Sequence, residues 1–161
     1  IMCSQLNGCN GASSFGSSAI GSLMSTKSNA GCLSSLCGGF VYGHVAGNSA
    51  SITSSGEGAP GSTLTITYAD PPSVTSTAFT AISYKKAQIN LAAGVLLVDP
   101  ATLTGFTPGV TFTSKSETRA EHLNIPNAPT LVGRSFCFQG AFFDGGPLAA
   151  LSNGVRIIIC D

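Results

Sequence analysis

Ser62-Thr63-Leu64-Thr65-Ile66-Thr67-Tyr68 reads STLTITY. Successive side chains of an extended chain point to opposite faces. Leu64, Ile66 and Tyr68 therefore share one face, and the three threonines share the other. Such alternation in β-branched and aromatic residues predicts a half-buried strand. Asp70-Pro71-Pro72 stops it, because proline cannot donate to a strand ladder.

The same grammar extends in both directions. Upstream, residues 40–45 (FVYGHV) and 51–53 (SIT) are short strand candidates, and residues 57–61 form a Gly/Pro loop. Downstream, residues 77–84 (TAFTAISY) repeat the alternation, and residues 94–99 (GVLLVD) read as a more fully buried strand. Residues 110–113 and 120–125 follow, the latter closed by Pro126 and Pro129. Residues 134–143 (RSFCFQGAFF) form the longest candidate and residues 154–160 (GVRIIIC) the last, joined as a hairpin across residues 144–153. Short strands separated by Gly, Pro and Asn predict an all-β, antiparallel β-sandwich of about seven to eight short strands. Phe136, Phe138, Phe142 and Phe143 occupy both parities of one strand. One face belongs to the core, and the other needs a cover: a second sheet, the arm, or another subunit.

Charge is scarce and uneven. Only 9% of residues are charged, against roughly 25% in ordinary soluble domains. The seven basic and seven acidic side chains cancel, which leaves no basic field for nucleic acid. Before Lys85 the only charged residues are Lys27, Glu57 and Asp70. Residues 1–39 are rich in Gly, Ser, Asn and Cys. A weak helix over residues 12–27, with Phe15, Ala19, Leu23 and Met24 on one face, competes with a disulfide-pinned irregular arm. Gly16, Gly21 and the serines favour the arm. The expected organisation is a Cys/Gly/Ser-rich N-terminal arm over residues 1–56, carrying one or two short strands, and a sandwich over residues 57–161.

The six cysteines are Cys3, Cys9, Cys32, Cys37, Cys137 and Cys160. An even count without clustered histidines predicts disulfides and an oxidising compartment rather than zinc. The connectivity is open; local pairs Cys3–Cys9, Cys32–Cys37 and Cys137–Cys160 are the preferred set. The start at Ile1 fits a removed signal peptide. No apolar run approaches the roughly 20 residues of a membrane-spanning helix.

Over the last hundred or so residues the chain resembles a repeated C-terminal β domain of secreted proteins from planctomycete-type and related bacteria. The resemblance rests on GSTLTITY, GVLLVDP, NIPNAPTLVG, FCFQGAFFD and LSNGVRIII in that order. Within these, Ile125-Pro126, Leu131 to Gly133, Gln139, Asp144 and Ser152-Asn153-Gly154 carry it most specifically. It implies secretion and a β fold, and no assigned activity. Read as residues, Gln139 offers an amide that satisfies backbone groups at a sheet edge or turn. Ser152-Asn153-Gly154 has the chemistry of a turn.

Catalytic motifs are weak. Gly56 to Gly61 matches G-x-G-x-x-G by letter, but a strand rather than a helix follows it, so no phosphate-binding helix N-terminus is present. No G-x-S-x-G elbow occurs. The two histidines, His44 and His122, lie far apart, and a triad with Asp70, Asp99 or Asp144 has only spatial possibility in its favour. Glu117 and Glu121 beside Lys115 and Arg119 read as a solvated, self-neutralising face. Asp70 and Asp99 precede prolines and are expected to cap turns. No enzyme, cofactor or metal site is expected.

The expected function is that of an extracellular structural protein that self-assembles as a filament or surface-layer subunit. The arm would pack on, or add a strand to, a neighbour, although packing on its own domain fits equally. Residues 39–46 are the candidate donor, with Phe40, Val41, Tyr42 and Val45 as assembly residues. The partner would be a second copy. A glycan is the alternative partner, in a secreted adhesion or carbohydrate-binding module.

Overall fold

A computed structural model describes residues 38–43 and 45–161. The weak helix, Cys3, Cys9, Cys32, Cys37 and His44 lie outside the described residues. Among the described residues, eleven strands follow in order: β1 (Gly38–Tyr42), β2 (Ser51–Ser55), β3 (Thr63–Ala69), β4 (Ser76–Ser83), β5 (Lys86–Leu91), β6 (Gly94–Val98), β7 (Leu103–Phe106), β8 (Val110–Thr111), β9 (Arg119–Asn124), β10 (Ser135–Asp144) and β11 (Leu148–Ile158). The fold is all-β and antiparallel. No helix among the described residues is long and apolar enough to cross a membrane.

The main sheet runs β1-β11-β10-β4-β7, with β8 also pairing β4. A three-stranded sheet, β2-β3-β9, lies on one face. The STLTITY alternation builds that contact. Leu64, Ile66 and Tyr68 point inward against Ala78, Phe112, Phe138, Phe142, Val155 and Ile157, while the threonines face out or to the rim. Tyr68 meets the Phe142 ring edge-on at 6.2 Å and 84°, and Phe112 lies 5.9 Å from Phe142. Such aromatic pairs add about 0.5–1.5 kcal/mol each beyond their area burial.

The other face of the main sheet is covered by the β5-β6 hairpin. Val98 packs with Ala81 and Cys137, and Tyr42 and Leu96 close over them. This answers the double parity of β10: Phe136, Phe138 and Phe142 face the small sheet, and Cys137 and Gln139 face the hairpin. The central strands β10 and β11 are thus buried on both faces.

Several expectations are corrected. The described residues form eleven strands where about seven to eight were expected, and two of them, β5 and β7, had no candidate in the sequence. β5 is exposed along most of its length and β7 has one half-buried position, so neither shows alternation. β11 begins at Leu148, not Gly154, so the last hairpin turns within three residues at Gly145, Gly146 and Pro147. Ser152-Asn153-Gly154 is consequently buried mid-strand backbone rather than a turn. Cys137 is a buried free thiol, so the Cys137–Cys160 pair does not form. The register explains this. Cys137 sits opposite Arg156, and Cys160 lies four residues further along, about 13 Å away at roughly 3.3 Å per residue. Cys160 makes its interactions elsewhere.

Candidate functional site

Three carboxamides hold the layers together. Gln139 on β10 accepts from Leu97 N at 2.7 Å and donates to Val95 O and Ser152 O, both at 2.9 Å. Asn48 accepts from Val95 N at 2.6 Å and donates to Val95 O at 3.0 Å and Ser152 O at 2.7 Å. Asn153 accepts from Ile52 N and donates to Ile52 O, each at 2.9 Å. A primary amide mimics a peptide unit, so each side chain completes a ladder between strands that do not pair directly. Gln139 and Asn48 tie β6 to β11, and Asn153 ties β2 to β11. The backbone-satisfying role expected of Gln139 is present, but between layers instead of at an edge.

A second polar cluster crosses the sandwich. The Tyr68 hydroxyl lies 2.6 Å from Thr80 Oγ1 and donates to Glu121 Oε2 at 2.7 Å, with Thr107 Oγ1 at 3.5 Å. Burial chiefly pushes the Tyr68 pKa up to about 12; the threonine hydroxyls oppose this and Glu121 adds to it. Tyr42 is raised further, first by burial and then by Cys137, with Arg156 opposing. Its hydroxyl donates to Leu97 O at 3.1 Å, and Lys86 Nζ sits 4.1 Å from its ring centroid. Glu121 therefore faces inward, unlike the solvated face expected of it. Glu117 alone pairs with Arg119. Its carboxyl is held below the usual range chiefly by the Thr113 backbone N–H.

The residues weighed for a triad are scattered. His122 Nδ1 is 3.0 Å from Thr65 Oγ1. Asp70 accepts from Ser51 Oγ, Asp144 from Thr75 Oγ1, and Asp99 caps the turn at Pro100–Thr102 through Ala101 N. Among the described residues no three His, Cys, Asp or Glu side chains gather as a metal site.

The surface features are apolar. The main sheet ends laterally in β1 and β7, and neither has an outer strand partner among the described residues. Phe40 and Val41 on β1 are 39% and 45% exposed; Leu103 and Phe106 on β7 are 36% and 61% exposed. Of the four assembly residues, Phe40 and Val41 thus present apolar surface at an open edge. Tyr42 is turned inward, and Val45 lines a shallow cavity of about 400 Å³ beside Asn48 and Asn153. A second cavity, about 340 Å³, opens under β9 and is lined by Leu64, Ile82, Leu123, Ile125, Leu131 and Phe136, among others. Sequence reasoning had no signal for it, because it exists only where three strands face five. No protein-family model, no curated protein and no solved structure matches the chain.

Proposed function

We propose that this protein is an extracellular structural subunit that self-assembles into a filament or layer by edge-to-edge contact of its main sheet. The observation that carries this is the pair of open apolar edges, Phe40 and Val41 on β1 and Leu103 and Phe106 on β7. Exposed edges of unpaired backbone are ordinarily blunted by charge, proline or bulges. On β1 and β7 no side chain is charged. The zero net charge removes repulsion between copies. A contact between the two different edges is heterologous, and it propagates as an open array where the rotation between copies does not close a ring. The motif order of residues 61–161 supports an extracellular setting.

Light scattering with negative-stain imaging of native protein tests the reading. Concentration-dependent rods or sheets are expected. A monomer that persists at high concentration overturns it.

A further inference from the structure

We propose that copies join through a parallel ladder of β1 on β7 in one register, with Val41 of one copy seated over Gly105 of the next. This rests on the self-assembly reading above and names the contact through which it works. Three rows of paired residues cross the main sheet from edge to edge. The first runs from Phe40 through Arg156, Cys137 and Ser83 to Leu103. The second runs from Val41 through Val155, Phe138 and Ile82 to Gly105, and the third links Tyr42 to Phe106 in the same way. Four antiparallel pairings separate the two edge strands, so β1 and β7 run in the same direction. A second copy that continues the rows therefore lays its β7 parallel to β1, with Leu103 beside Phe40 and Gly105 beside Val41. Thr107 N donates to Thr80 O at 3.0 Å, so by strand alternation the N–H and C=O of Phe106 face away from β4, toward that ladder.

The side chains of the two edges fit each other. Cys137 faces the hairpin, so its row sets Phe40 and Leu103, 39% and 36% exposed, on that face. Phe138 faces the small sheet, so Val41 and Gly105 lie on the other. Val41 is 45% exposed, and a Cβ at Gly105 would have no atom beyond its chain neighbours within 4 Å. A branched side chain projecting from one edge thus meets a position without one at the other. The edges lie on opposite sides of one sheet with three strands between them, so only a second copy can bring them together. The twist of the sheet then sets the form of the assembly. Five strands per copy at roughly 4.8 Å give a rise of about 24 Å. A twist of roughly 20–25° per strand turns each copy by on the order of 100° about the direction of growth. A rise along the axis of rotation makes a helical filament, and such a contact closes no ring.

Imaging and a size swap in the full chain test this. Negatively stained rods of the parent chain are expected to repeat at about 24 Å. Gly105→Val adds a side chain for which a single copy has room but which Val41 of the neighbour must meet. It should keep the parent's urea midpoint and lose assembly in light scattering. Val41→Gly added to it restores the fit and should restore the rods. Rods with another repeat, Gly105→Val assembling as the parent does, or a double variant that folds and stays monomeric would each overturn the register and leave self-assembly standing. A copy turned over, with its β7 antiparallel to β1, gives the second of these outcomes. A parent chain that stays monomeric sinks the self-assembly reading and the register with it.

Discussion

Gln139 shows how far a single residue can be read. An amide in an apolar strand implies a backbone partner, and that much follows from its chemistry. Which backbone it serves does not, because nothing in a strand pattern says that β6 lies across β10. The shared bonding now sets the expected cost of losing it. Asn48 also serves Val95 O and Ser152 O, so Gln139→Leu orphans chiefly the Leu97 N–H. A destabilisation of about 1–3 kcal/mol is expected in urea unfolding. The double variant with Asn48→Ala should cost more than the two singles together, because it leaves both carbonyls unpaired as well. Tyr68 gives a pH dependence at the same scale. Its folded pKa, about 12, exceeds the unfolded value near 10. The folded state then holds a proton that the unfolded state has lost, so stability is full below about pH 10 and declines as pH rises toward 12. Tyr42 is raised as well and acts in the same direction. Tyr68→Phe should flatten this alkaline decline in denaturant midpoints measured across that range, and should remove tyrosinate absorbance that appears near pH 12.

At the scale of elements, legibility followed burial geometry. β3 buries one face, so its alternation appears directly in TLTITYA. β10 and β11 bury both, which erases the period and invites misreading of their polar residues as turns. β5 and β7 bury too little to leave a pattern. The close layer contacts of β11 were also invisible, since they depend on where its glycine sits. A Cβ built on Gly154 would overlap Tyr42 Cζ and lie 2.7 Å from two further ring carbons. Gly154→Ala must therefore displace the Tyr42 ring, releasing its bond to Leu97 O and uncovering Cys137. Overpacking of this kind costs about 1–3 kcal/mol. Alkylation of Cys137, followed by peptide mass, should become faster in Gly154→Ala than in the parent, where the thiol is buried. An unchanged rate would mean that Tyr42 does not guard it. Phe142→Ala tests the opposite face. It empties a site shared by Tyr68 and Phe112, and about 3–5 kcal/mol should be lost in the same unfolding measurement.

For the whole molecule, the decisive property is that the two lateral edges of the main sheet differ. The sandwich class was legible from strand grammar, but edge identity was not, because β7 has no alternating pattern and strand order is a property of the fold. If assembly joins β1 of one copy to β7 of the next, each subunit needs both edges to extend an array. Phe40→Lys with Val41→Lys disables the β1 side only, and Phe106→Lys disables the β7 side only. All three positions are exposed, so the changes should move stability by no more than about 0.5 kcal/mol. A lysine on an edge strand is a charge that resists pairing. Either variant alone should stay monomeric, since the edge it retains meets only disabled partners. Mixed in equal amounts, the two should form particles of twice the monomer mass and no larger, because one intact β1 edge meets one intact β7 edge and both outer edges are blocked. Light scattering reads this directly. An isologous β1-to-β1 contact gives another outcome: Phe106→Lys alone would dimerise, and the mixture would add nothing. Growth of the mixture beyond a dimer would place the contact away from both edges.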